Sequence, residues 1–186
     1  MKKYKVIGRK EDLFVEKNVE IGSNVLLDTR NGKIIISGPS YLIGNTKLHA
    51  SGGKIKIGRN VTIGEYSFLN GAGNIIIEDN VLCADKINLV STDHMYTDIN
   101  IPIRNQGAIN APIIIGEGCW VGINVSILAG TEIGKNCVVG ANSVVKGKFP
   151  DYCVIAGNPA RIVKLFNGEK WMKVDASIVQ KEDASK

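Results

Sequence analysis

The chain has 186 residues, of which 21 are glycine and 6% aromatic, with a net charge of +5. A domain of this length buries roughly 70% of its unfolded surface, and a glycine-rich, aromatic-poor balance argues against a helical bundle or a disordered chain. The charge is too modest and dispersed for a nucleic-acid binder, and no apolar run is long enough for a membrane span.

Residues 1–20 carry no period and are expected to form an irregular cap. Charged residues interrupt any apolar core there, so no signal peptide is expected and the chain reads as cytoplasmic. Cys83, Cys119, Cys137 and Cys153 lack C-x-x-C spacing and read as reduced and buried.

From residue 21 the sequence repeats every six residues. Aliphatics fall at Ile57, Ile63, Leu69 and Ile75, resume at Ile77, Cys83 and Leu89, and run again from Ile115 through Val121, Ile127, Ile133 and Val139 to Val145. The next residue is often glycine, and a small or branched residue follows four places after the aliphatic. A helix at 3.6 residues per turn cannot hold a period of six. One short strand and a corner can, with glycine relieving crowding at the corner. Three units make an eighteen-residue triangular coil, and coils stack at about 4.8 Å. Cys119 and Cys137, eighteen apart, then lie one above the other.

The interval from Ile77 to Ile115 is 38, one coil plus a twenty-residue insertion. Coils over 21–94 are therefore followed by a protruding loop (about 95–112, insertion 95–114), and further coils follow from 115. The tail, 165–186, is charged with Trp171 as its large anchor; a short helix against the prism and a frayed end both fit.

Ile-Gly-Glu-Gly-Cys-Trp-Val-Gly from Ile115, Ile-Leu-Ala-Gly-Thr-Glu-Ile-Gly from Ile127 and Ala-Gly-Asn-Pro-Ala-Arg-Ile-Val-Lys from Ala156 resemble the hexapeptide-repeat acyltransferases. The likeness extends in repeat form over 21–164. It implies an all-β fold, a left-handed parallel β-helix, working as a homotrimer with acetyl-CoA as co-substrate and no metal. The hand comes from the resemblance alone, because strand crossovers are normally right-handed. The segment from Asn80 to His94 is most similar to sugar and polysaccharide O-acetyltransferases, which implies acetyl transfer to a sugar hydroxyl of a cell-surface glycan or its precursor. A xenobiotic or another small alcohol or amine is the alternative acceptor.

The resemblance makes His94 the catalytic base, since a neutral imidazole can take the hydroxyl proton and return it to the thiolate. Asp85, Asp93 and Asp98 are candidate orienters of its ring, with Asp93 at a position that points inward in a regular coil. Trp120 with Gly122 and Ile123 matches the thioester end, the Ile123 amide serving the oxyanion. Ala141, Lys146 and Gly147 match the cofactor groove, and Arg161 and Lys164 the CoA phosphates. Asp85, Asp93, Asn70 and Gln106 are assigned to the acceptor side, Tyr66 could join them, and His49 reads as structural. Two other readings of the scaffold are disfavoured. A γ-carbonic anhydrase needs three histidine ligands where this chain has two, and a non-enzymatic assembly module needs neither the His94 loop nor the Trp120 set.

Overall fold

The computed structural model describes residues 4–174. Three sheets of seven, seven and nine strands form the three faces of a prism, with successive coils pairing in parallel. The first face runs from Tyr4–Ile7 through Lys47–His49, Phe68–Asn70, Asn88–Val90 and Ser126–Leu128 to Val144–Val145. The second runs from Leu13–Val15 to Lys148–Phe149, and the third begins at Val19–Ile21.

The six-residue aliphatics are the core. Leu48, Leu69, Leu89 and Ile127 stack under the first face, Ile57, Ile77 and Ile115 under the second, and Ile63, Val121 and Val139 under the third; none is more than 1% exposed. A fully buried aliphatic contributes about 1.5–3 kcal/mol, and each contacts the equivalent residue in the coils above and below. The second inward position is small because it sits at a corner. Where it is polar its hydroxyl is paired, as in Ser67 Oγ donating to the Gly64 carbonyl at 2.7 Å and Ser143 Oγ to that of Gly140 at 2.6 Å.

Glycine follows the aliphatic because coils approach closely there. A Cβ on Gly64 would lie 2.4 Å from the Ala84 carbonyl carbon. The left-handed backbone at the corners is taken mostly by asparagine, at Asn24, Asn45, Asn60, Asn80, Asn124, Asn136 and Asn142, with Tyr66, Lys86 and Tyr152 in the same conformation. A short side chain that can bond its own neighbourhood tolerates that conformation, and the side chains join coil to coil, as in Asn124 Nδ2 to Asn142 Oδ1 at 2.8 Å.

Two expectations about the ends change. Residues 4–21 are a first coil rather than an irregular cap: Tyr4–Ile7, Leu13–Val15 and Val19–Ile21 pair in register with Val25–Asp28, Lys33–Ile36 and Ser40–Leu42. Leu13, Val15, Val19 and Ile21 pack on the core from there, and Val15, Ile21 and Leu27 already keep the six-residue spacing. The start of the tail is strand, not helix. Ala160–Phe166 pairs antiparallel with Cys153–Gly157 and then with Trp171–Lys173, and Phe166 meets Trp171 at 5.4 Å between ring centroids. Residues 175–186 lie outside the described residues.

The cysteines stack as the spacing requires, the Cys137 amide lying 3.4 Å from Cys119 Sγ and Cys153 continuing the column. All four are free and buried.

Candidate active site

The insertion leaves the prism at the corner between the first and second faces. Thr92–His94 turns outward and pairs antiparallel with Ala108–Asn110, so the expected loop is a β-hairpin arm whose stem includes His94. The Ala111 amide donates to the Ser91 carbonyl at 3.1 Å and closes the base of the arm. Asp93 therefore never points inward; the chain has left the coil two residues earlier, and its carboxylate is exposed.

The arm is held by Gln106. Its Nε2 donates to the carbonyls of Asp98 and Ile101 at 2.8 and 2.6 Å, and its Oε1 accepts the Asp98 amide at 3.2 Å. With both amide protons engaged inside the arm, Gln106 acts as a clasp on it. Asp98 Oδ1 accepts the Asn100 amide at 2.9 Å.

His94 ends the stem with an exposed ring, and no group among the described residues hydrogen-bonds its nitrogens. The three candidate orienters are engaged with backbone amides instead. Asp93 Oδ1 accepts the His94 amide at 3.0 Å, while its Oδ2 meets Lys146 Nζ at 3.4 Å. Asp85 Oδ1 accepts the Glu65 amide at 2.8 Å. On the same side Asn70 is half-buried beside Val90, its Oδ1 taking the Ala72 amide at 3.2 Å and its Nδ2 without a partner among the described residues.

Trp120 lies on the third face, between Leu82 and Val138, and is 52% exposed. Gly122 follows where a Cβ would lie 2.8 Å from the Ala141 nitrogen, so only glycine lets the two coils meet. At the corner beyond, Asp85, Ile123 and Ala141 stack one per coil, as the hydrogen bonds from Asn124 to Asp85 and from Asn142 to Ile123 record.

Elsewhere such corner amides are capped by a carboxylate from the next coil: Glu65 by Asp85, Arg59 by Asp79, Lys135 by Asp151. The amides of Asp85, Ile123 and Ala141 have no acceptor among the described residues. Three unpaired donors in a row therefore run along the axis beside Trp120. This was legible in the sequence, since residues 123 and 141 are not acidic where 79, 85 and 151 are.

Arg161 and Lys164 extend the same third face, on the strand that pairs with Cys153–Gly157. Trp120 is three strand spacings away, about 14 Å. Lys146 and Gly147 do not join this group. Lys146 follows Val144–Val145 at the arm's corner, across the first face from Ala141, and its partner there is Asp93.

The site residues thus form two sets. His94, Asp93, Lys146, Gly147 and Asn70 gather at the arm; Trp120, Gly122, Ile123, Ala141, Asp85, Arg161 and Lys164 line the third face and its corner with the first. The arm's corner lies opposite the third face in a triangular coil, so one chain does not bring base and thioester end together.

Residues 112–147 match the family model described as bacterial transferase hexapeptide (six repeats). The galactoside O-acetyltransferase of Escherichia coli is 34% identical over 179 residues, 92% of this chain and 79% of that protein. The chain belongs to this family, the hexapeptide-repeat acetyltransferases, and its prism is their left-handed parallel β-helix. A probable acetyltransferase of Mycobacterium tuberculosis is 41% identical over 117 residues, 63% of this chain but only 39% of that protein's length. Among solved structures, the polySia specific acetyltransferase NeuO is 31% identical with a TM-score of 0.56, the match covering 84% of this chain and 69% of that one.

Proposed function

We propose that this protein is an acetyl-CoA-dependent O-acetyltransferase that acetylates a sugar hydroxyl of a cell-surface polysaccharide or its precursor, working in the cytoplasm as a homotrimer. The observation that carries this reading is the split of the site: an unengaged imidazole on the arm, and an exposed indole beside unpaired amides on the opposite side. A neighbouring copy supplies the missing half of each site, as rotational symmetry allows when one surface meets a different one and the ring closes.

The arrangement supports direct transfer. Acetyl-CoA lies along the axis of one prism, its thioester beside Trp120, its arm on the Ala141 amide and its phosphates toward Arg161 and Lys164. His94 of the adjacent copy takes the proton of the acceptor hydroxyl as its oxygen bonds to the thioester carbonyl carbon. The negative charge collects on the former carbonyl oxygen, where the Ile123 amide donates to it. The carbon–sulfur bond then breaks, and the imidazolium returns its proton to the thiolate, releasing CoA. Alignment of the two reactants provides much of the rate, and no covalent acyl-enzyme is needed.

The test is thiol release from acetyl-CoA in the presence of nucleotide sugars, free sugars and isolated glycan, followed by mass spectrometry of the product. His94→Ala is expected to abolish acceptor-dependent release. A variant retaining more than a few per cent of the wild-type rate would remove His94 as the base.

A further inference from the structure

We infer that the first face, toward the N-terminal coils from the arm, carries a subsite for an anionic sugar residue, so that the acceptor is an acidic glycan or a sugar phosphate. This rests on the O-acetyltransferase reading above. An open groove of about 590 Å³ lies there, lined by Asn24, Asn45, Lys47, His49, Tyr66 and Phe68.

The groove lies on the same face as the base of the arm, two strands away. His49 pairs with Asn70, and Asn70 with Val90, the last strand residue before the base of the arm. Two strand spacings, about 10 Å, separate His49 from that base. A saccharide whose reacting hydroxyl meets His94 therefore continues over Asn70 into the groove.

Three features of the lining select the ligand. Lys47 is exposed and has no carboxylate partner among the described residues. No carboxylate is part of the lining; of the two beside it, Glu65 Oε1 accepts from Asn45 Nδ2 at 3.2 Å, and Asp28 is occupied by Arg30, whose Nη2 lies 2.6 Å from its Oδ2. The second feature is His49, whose Nε2 is buried without a hydrogen-bond partner among the described residues. Its ring stands edge-on to Phe68 at 5.3 Å between centroids. A rotation of that ring turns the idle nitrogen to an oxygen in the groove, which gains the bond that the chain itself does not supply.

The third is Tyr66. It occupies the corner position held by Asn24, Asn45, Asn124 and Asn142 in other coils, with the same left-handed backbone at φ 57°. A bulky residue is disfavoured there, yet this one is 59% exposed and lines the groove. Aromatic platforms are how proteins meet the apolar faces of sugar rings while cations and imidazoles meet their acid groups. A uronic or sialic acid carboxylate and a sugar-linked phosphate share that chemistry.

The test measures binding by calorimetry on the intact protein without acetyl-CoA, so that it is separate from catalysis. The probes are an oligogalacturonate, a neutral malto-oligosaccharide of equal length and UDP-glucose. At least one anionic probe is expected to bind about tenfold more tightly than the neutral one, and which of them does so distinguishes carboxylate from phosphate. Lys47→Gln should remove that preference, Lys47→Arg should keep it, and Tyr66→Ala should weaken all binding at this face. Melting temperatures of the variants establish that they are folded. Equal binding of neutral and anionic probes, or a preference that survives Lys47→Gln, overturns the subsite. Anion-selective binding in a protein that releases no thiol with any acceptor would instead leave the subsite standing and overturn the transferase reading.

Discussion

Lys146 Nζ lies 3.4 Å from Asp93 Oδ2, and the other oxygen of that carboxylate holds the His94 amide at 3.0 Å. A lysine of the sixth-to-seventh coil region is thereby tied, through one side chain, to the backbone of the proposed base. The pair is solvent-exposed, and such pairs contribute about 0–1 kcal/mol, too little to matter for folding but enough to bias where an arm rests.

Lys146→Met is accordingly expected to leave the melting temperature within a few degrees of wild type and to lower kcat about two- to fivefold. Steady-state kinetics with varied acetyl-CoA checks this. A rise in the KM for acetyl-CoA at unchanged kcat would show Lys146 serving the cofactor rather than the arm.

The division of the site between copies predicts complementation. His94→Ala and Trp120→Ala variants are each expected to be inactive or nearly so, but when co-assembled from unfolded chains they should recover activity. With random mixing into closed rings, about a quarter of the interfaces carry both intact halves. Thiol release from the refolded mixture measures the recovery, and its absence would place both groups in one chain's site.

Gly122 admits no side chain, because a Cβ would meet the Ala141 nitrogen at 2.8 Å. Gly122→Ala should destabilise the fold by about 1–3 kcal/mol through overpacking, roughly 2–4 °C of melting temperature per kcal/mol. Because the shift spreads to the Ile123 amide, activity should fall further than stability alone explains. Calorimetry and thiol release on the same sample separate the two effects.

Asp28 is held below the usual carboxylate range, chiefly by the hydrogen bonds from the Arg30 side chain. A depressed folded-state pKa contributes stability that is present above the unfolded value, near 3.9, and is lost as pH falls through the folded value. Asp28→Asn should therefore lower the melting temperature at pH 7 and flatten its fall in acid. Melting curves from pH 7 to pH 2 read both.

Burial pushes the Cys83 thiol up to about 12, which keeps it protonated at ordinary pH. A thiol-specific reagent at pH 8 is expected to leave Cys83 unmodified in the folded protein and to label it in denaturant. Rapid labelling of Cys83 in the native protein would mean that the core opens readily there.

Much of this was readable from the chain. Ile57, Ile63 and Leu69 announce the coil because an inward position every sixth residue has no other simple explanation, and the gap from Ile77 to Ile115 announces the arm because those two residues pair directly. What the period misses are features with another physical origin. The first coil is easily overlooked because the period reaches back only from Ile21 to Val15, and Arg9 stands where the next aliphatic would fall. The asparagine ladder is a matter of backbone conformation, not hydrophobicity. The terminal hairpin through Phe166 and Trp171 follows the rules of an antiparallel edge. Above all, residue spacing places His94 and Trp120 close in sequence and coil, while the three-sided winding sets them on opposite sides. Which face a residue joins depends on counting corners, and the insertion sits at one of them.

The closure of the arm at Ser91 and Ala111 has a wider consequence. Because the prism resumes in register directly above the point where it stopped, the hairpin is a detachable part. Its length and tip can be exchanged without disturbing a single rung of the core. A graft of a different hairpin between Ser91 and Ala111 should fold as this one does, making the position a natural place to re-engineer which hydroxyl is delivered to a fixed acyl donor.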